Sequence, residues 1–322
     1  MPSIIIASDK LKTGKTMVTS VFSSYANLKG ISVSIMNSYY NDFSNFSTVP
    51  DWVEMDRISG IEGYIPEKIS DKDIQDISKK ISSASNQKLL ITESHLVSIE
   101  DNKRIAESSR SKVVMICDLN SDVEKIKEEL GSVFGGIIFN NVPRHRVDIL
   151  KSQTALNSGI ISIIPENRNM VASTVDQYAD HLKGKYLYES ERKDDLVLNV
   201  LIGGIVLDWS VLYYQSKSDV LALIRGDRPD LQLGAMQAGG NVKGLVLTKG
   251  IEPIEYVTYE AEKQGIPLIS VNSDTHETAA LISGIVAKSK FDHPLKLENC
   301  SDYFNKNLRQ DVVDKVLDLT TL

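Results

Sequence analysis

The chain has 322 residues, 42% of them hydrophobic and 25% charged, which excludes disorder over most of its length and points to about two domains. With 36 basic and 43 acidic residues the formal net charge is −7, so a bulk affinity for nucleic acid or an anionic membrane is not expected, although a local basic pocket is compatible with it. No apolar run approaches the roughly 18–20 residues of a membrane span, the first residues do not read as a signal peptide, and Cys117 and Cys300 are too few for a disulfide framework or a four-cysteine zinc site, so a reducing cytoplasm is the expected compartment.

Short apolar runs at 4–7, 31–36, 88–92, 113–117, 135–139 and 160–164 read as buried strands. Between them, amphipathic stretches at 14–25, 71–84, 102–108, 122–130 and 147–156 read as helices. Strands that are apolar throughout and separated by helices imply a doubly wound, mostly parallel α/β sheet covered on both faces. The stretch 37–69, rich in Ser, Asn, Asp, Tyr and Pro, is a long and partly irregular connection. The first domain is expected over 1–182 and a charged linker over 183–195. The pattern then restarts, with strands at 197–206, 219–224, 244–248 and 267–271 and helices at 230–238, 253–264 and 275–286, giving a smaller α/β domain over 196–295. A C-terminal helical tail follows over 296–322, its helix at 308–319.

The most informative stretch lies at 4–16, where a buried strand runs into a loop that ends in Gly14-Lys15-Thr16 and a helix begins. A P-loop needs this context. Main-chain amides at a helix N-terminus cradle phosphate, a lysine reaches the outer phosphates and a hydroxyl binds Mg²⁺. Ser8, Thr13, Gly14, Lys15, Thr16 and Met17 are the candidate nucleotide contacts. Lys10, four residues before Gly14, fits a Lys-x-x-x-Gly-Lys-Thr variant in which a second lysine helps neutralise phosphate, often on a neighbouring subunit. Asp9 stands where the standard loop has no carboxylate, and it adds negative charge beside a polyphosphate.

Ligands in such sheets sit outside the carboxyl ends of the strands. Glu93 ends one strand, where it could hold Mg²⁺ with Thr16 or orient an attacking group, and Asp118 ends the next in a lesser role. Asn140, followed by Asn141, could read an adenine edge through paired hydrogen bonds or simply form a turn. Asp42 and Asp51 are further carboxylates for a metal. The five histidines show no metal-ligand spacing, and Cys117 reads as a small buried hydrophobe. In the second domain three polar loops share one sheet edge. Asp227, Arg228 and Asp230 open a helix, with Asp227 able to cap it and Arg228 placed to welcome an anion; Thr248 ends the next strand; and Asp274 and Thr275 start another helix.

These residues carry two resemblances. The stretches 6–16, 135–143 (Gly-Gly-Ile-Ile-Phe-Asn-Asn-Val-Pro) and 164–168 (Ile-Pro-Glu-Asn-Arg), with Glu93, resemble the dethiobiotin-synthetase-like P-loop domain at the front of long bacterial phosphotransacetylases and in stand-alone archaeal proteins. The second part resembles the DRTGG domain that follows it there, through Gly226-Asp227-Arg228-Pro229-Asp230, the runs 245–250 and 265–271, and Asp274-Thr275. Pro229 replaces the usual threonine, Asp9 and Leu11 depart from the usual loop, and Met36-Asn37-Ser38-Tyr39 stands where dethiobiotin synthetases carry Gly-x-Lys-Pro. The resemblance implies a nucleotide-binding regulatory or ligand-sensing protein, with ATP and Mg²⁺ on the first domain, a small metabolite on the second, and a homodimer in which Lys10 acts in trans. The alternative is an ATP-dependent carboxylate-activating ligase related to cobyrinic acid a,c-diamide synthase or dethiobiotin synthetase, with Lys15, Glu93 and Lys10 as catalytic groups. The chain ends where a phosphotransacetylase catalytic domain would begin, so at most an ATPase or ligase is expected, not a complete phosphotransacetylase.

Overall fold

Seven strands of the first 165 residues pair side by side, all parallel, in the computed structural model, which describes residues 3–10, 13–37, 55–58, 69–85, 88–154, 159–204, 209–289, 291 and 293–317. In chain order they alternate with helices: β1 (Ser3–Ala7), α1 (Lys15–Leu28), β2 (Val33–Asn37), β3 (Met55–Ile58), α2 (Asp71–Ala84), β4 (Leu89–Glu93), α3 (Ile99–Ser109), β5 (Lys112–Cys117), α4 (Val123–Leu130), β6 (Phe134–Val142), α5 (Val147–Thr154) and β7 (Ile160–Pro165). The sheet order β3-β2-β4-β1-β5-β6-β7 puts β1 in the middle, and β1 and β4 are buried along their whole length. A strand covered on both faces has no need of alternating polarity, which is why Ile4, Ile5 and Ile6 follow one another. The order reverses at β1, so the crevice beyond its carboxyl end is the switch point of a doubly wound sheet. Within the irregular connection, β3 pairs with β2. Asp42 and Asp51 lie outside the described residues, as do Leu11 and Lys12.

The second run of elements is α6 (Arg168–Val171), β8 (Ser173–Thr174), α7 (Val175–Leu182), β9 (Lys185–Tyr188), β10 (Leu196–Val197), β11 (Asn199–Ile202), α8 (Ser210–Gln215), β12 (Val220–Arg225), α9 (Pro229–Gln237), β13 (Val242–Thr248), α10 (Glu255–Gln264), β14 (Leu268–Ser270) and α11 (Thr275–Ser283). Their main sheet has the order β11-β12-β13-β14-β9, parallel except for the antiparallel edge strand β9. One core face gathers Tyr214, Ile224, Leu231, Leu247 and Val257, and the other Val175, Tyr178, Leu223, Val246 and Ile269. Finally α12 (Pro294–Asn307) and α13 (Gln310–Val316) return to the first sheet.

The chain therefore divides into one unit of residues 1–167 with 291–322 and another of residues 168–290. This boundary differs from the expectation of a first domain over 1–182. Helix α7, started by a capping box of Thr174 and Gln177, buries Val175, Tyr178, Ala179 and Leu182 in the second core. The expected linker contains β9, an edge strand whose Tyr186, Leu187 and Tyr188 are half-buried. The arginine after it is tied down too, Arg192 donating to the Val242 carbonyl at 3.0 Å. The tail holds two helices where one was expected. Phe304 of α12 meets Phe22 of α1 edge to face at 5.4 Å, and Tyr25 of α1 donates to Asp314 of α13 at 3.0 Å. That cover explains why nearly every side chain of α1, serines included, is buried.

Candidate functional site: an uncapped helix N-terminus beside a buried carboxylate

At the carboxyl end of β1 the chain turns through a loop whose hydroxyls satisfy the loop itself. Thr13 Oγ1 donates to Ser8 Oγ at 2.9 Å, and Ser8 Oγ donates to the Lys10 carbonyl. These two expected ligand contacts therefore stiffen the turn, and their main-chain amides are what remain for a ligand. Gly14 is the N-cap of α1 in the left-handed region, φ 92°, and no side chain caps the helix. The first amides of a helix have no intrahelical acceptor, and they carry the positive end of its dipole. Met17 is buried under the loop and offers a ligand only its amide.

Two charged side chains, Lys15 and Glu93, meet at this turn with polar atoms that have no partner, and a third, Asp9, lies in the loop itself. Lys15 is 7% exposed and its Nζ makes no hydrogen bond; burial holds its pKa below the ordinary lysine value, with the Glu93 charge opposing. Glu93, 3% exposed at the end of β4, accepts from Thr16 Oγ1 at 2.7 Å through Oε1, while Oε2 is unsatisfied. Burial pushes the Glu93 carboxyl up to about 7 against the pull of Thr16 and Lys15. Asp9 Oδ1 is likewise buried and unsatisfied. Buried polar groups left without partners are rare and costly, so Lys15 and Glu93 side by side at one helix N-terminus mark a place built for something else. The register that pairs Ile6 with Glu93 sets the loop and the carboxylate side by side.

Other expected residues fall into less open positions. Lys10 is ion-paired with Asp118 of the same chain, which raises its pKa through the hydrogen bond and lowers that of Asp118. Asn140 of β6 reaches the loop and donates from Nδ2 to the Thr13 carbonyl at 2.7 Å. Cys117 is buried, its thiol pushed up to about 12 by desolvation, in keeping with a packing role. His95 was not singled out by its sequence context; burial and the Lys15 charge push it down to about 4. Among the described residues no group of three His, Cys, Asp or Glu side chains could hold a metal.

In the second unit the expected residues do gather at the carboxyl edge of the parallel strands, but most are already engaged. Asp227 does not cap α9: its two oxygens are gripped by Arg225, at 2.8 Å for Nε, and the helix starts at Arg228 with no side-chain cap. Arg228 is held by Asp230 through two bonds of 2.9 and 2.7 Å. Gln232, missed by sequence reasoning, braces the turn by donating to the Arg225 and Gly226 carbonyls. Thr248 and Thr275 share a hydroxyl hydrogen bond of 2.9 Å, and Asp274 caps α11 in a capping box with Glu277. A groove of about 420 Å³ beside α10 is lined by Glu252, Glu255, Glu262, Leu187 and Tyr259, which make it acidic.

Residues 177–285 match the family model of the DRTGG domain. The second unit contains a DRTGG domain. The match lies wholly within the unit of residues 168–290 and includes β9 and most of α7. The phosphate acetyltransferase of Haemophilus influenzae is 22% identical over 221 residues, 63% of this chain and 29% of that protein. That of Escherichia coli is 20% identical over 220 residues, 66% of this chain and 30% of that protein. The chain thus spans less than a third of the curated relatives it matches. Among solved structures, the CBS and DRTGG domains of the regulatory region of Clostridium perfringens pyrophosphatase, complexed with the activator diadenosine tetraphosphate, cover 47% of this chain and 72% of that one at 17% identity and a TM-score of 0.33. The septum site-determining protein MinD of Pyrococcus horikoshii, complexed with Mg-ADP, covers 52% and 83% at 14% identity and a TM-score of 0.37. The architecture is a doubly wound, parallel α/β unit followed in the chain by a smaller α/β unit that contains the DRTGG domain.

Proposed function

We propose that this chain is a regulatory protein whose first unit binds ATP with Mg²⁺ and whose DRTGG domain senses a small metabolite. The observation that carries the reading is the buried, unsatisfied ammonium of Lys15 at the amino end of α1, directly after the central strand. An anion there satisfies the ammonium and the free amides together. The amides of Gly14 to Met17 would hold phosphate oxygens and Lys15 the outer phosphates. Thr16 and Glu93 are the oxygens that fit a hard divalent cation of the kind that takes one or two protein ligands and completes its shell with phosphate oxygens and water. Mg²⁺ would supply charge neutralisation of the phosphates. Self-association beside the loop belongs to the same reading, with Lys10 exchanging Asp118 for a phosphate.

In the DRTGG domain a metabolite would meet Asp227, Arg228, Asp230, Thr248, Asp274 and Thr275, after the Arg228 and Asp230 pair opens. Isothermal titration of Mg-ATP tests the first unit. Heat with the wild type and none with Lys15→Ala is the expected result, and no heat with either ends the reading. Since a ligand that binds only the folded state raises stability, a rise in melting temperature on adding Mg-ATP should accompany the heat.

A further inference from the structure

Asn140 stands at the end of β6, where a base-reading residue would keep both its amide and its carbonyl open to a ligand. One of its two amide hydrogens is instead committed. Nδ2 donates to the Thr13 carbonyl across 127 residues of sequence. The next residue of the loop is Gly14, at φ 92°, and a Cβ built there would overlap Asn140 Nδ2. The carboxamide fills the space that a side chain at position 14 would take, so loop and strand end interlock.

In a planar trans peptide the carbonyl and the following N–H point in opposite directions. Holding the Thr13 carbonyl toward Asn140 therefore turns the Gly14 N–H away from Asn140, and it opposes the peptide flip that would exchange amide for carbonyl. We infer that Asn140 is a positioning residue which, by bonding the Thr13 carbonyl, fixes the main-chain amides of the phosphate loop for a polyphosphate of any base. The inference rests on the proposed binding of polyphosphate at this loop.

The test is titration of the full chain in Mg²⁺ with ATP, GTP and inorganic tripolyphosphate, for the wild type, Asn140→Ala and Asn140→Asp. A loop strut weakens all three probes equally, by about tenfold, or about 1.4 kcal/mol, and leaves the ratio of ATP to GTP affinity unchanged. Asn140→Asp keeps the size of the side chain but has no donor for the carbonyl, so it should lose at least as much and serves if the alanine variant folds poorly. Tripolyphosphate affinity unchanged while ATP alone weakens would make Asn140 a base reader and overturn the inference. Unchanged affinity for all three overturns it as well. A wild type that binds none of the probes removes the polyphosphate reading itself, and this inference with it.

Discussion

A lysine buried without an acceptor is a liability to the ligand-free protein. Burying an ammonium costs free energy that only a hydrogen-bonded anion returns. Lys15→Met, which keeps the stem and removes the charge, should therefore stabilise the ligand-free chain by roughly 1–3 kcal/mol in urea unfolding while abolishing Mg-ATP binding. Two neighbours titrate in opposite senses. Glu93 moves from 4.5 to about 7 on folding, so the folded state holds the extra proton and stability falls as pH rises between those values. His95 moves from 6.5 to about 4, so the unfolded state holds the extra proton and stability rises as pH climbs between about 4 and 6.5. The two slopes largely cancel in the wild type. Urea midpoints measured from pH 4.5 to 7 should rise with pH in Glu93→Gln and fall with pH in His95→Asn. Parallel profiles for all three proteins would refute the assignment.

At the scale of elements, the strand–loop–helix at 3–28 was legible in the sequence because an apolar run, a Gly-Lys-Thr and a helical period occur in order. The glycine's partner was not legible: Asn140 meets Gly14 only through the register of β6 in the sheet, and no local pattern carries that. The same limit applies to the DRTGG motif. Its residue types suggested a cap and an anion site, yet side-chain forks formed between near neighbours, Arg225 with Asp227 and Arg228 with Asp230. Gly226 shows what the motif protects, since a Cβ there would overlap the Ile251 carbonyl. Gly226→Ala should cost the DRTGG domain about 1–3 kcal/mol in urea unfolding, as crowded insertions do. Asp274→Ala should cost about 1 kcal/mol by uncapping α11, and Asp274→Ser should restore most of it. A serine variant as weak as alanine would argue that Asp274 acts through something other than the cap.

At the scale of the whole molecule, sequence periodicity located both sheets but misplaced their border. Charge marks linkers, and the charged run 189–195 hid the short edge strand β9 just before it, which only its pairing with β14 reveals. The return of the tail was hidden for a related reason. Its apolar residues announced a need for cover, but not which sheet would give it. Because Leu297, Cys300, Phe304, Val312 and Val313 are buried in the first unit, residues 1–167 alone should be poorly folded, whereas residues 168–290, with both core faces of their own, should fold as a fragment. Circular dichroism and cooperative melting of the two fragments check this, and a cooperative melt of 1–167 alone would contradict it.

The tail's return also imposes an order on biogenesis. Domains emerging from a ribosome generally fold in the sequence they are made. Here the first unit must wait for α12 and α13, which follow the second unit in the chain, so residues 168–290 can mature before the first unit has all its parts. A nascent chain whose residues up to 290 have emerged would carry a finished second unit and an uncovered α1, exposed to chaperones until α12 and α13 arrive.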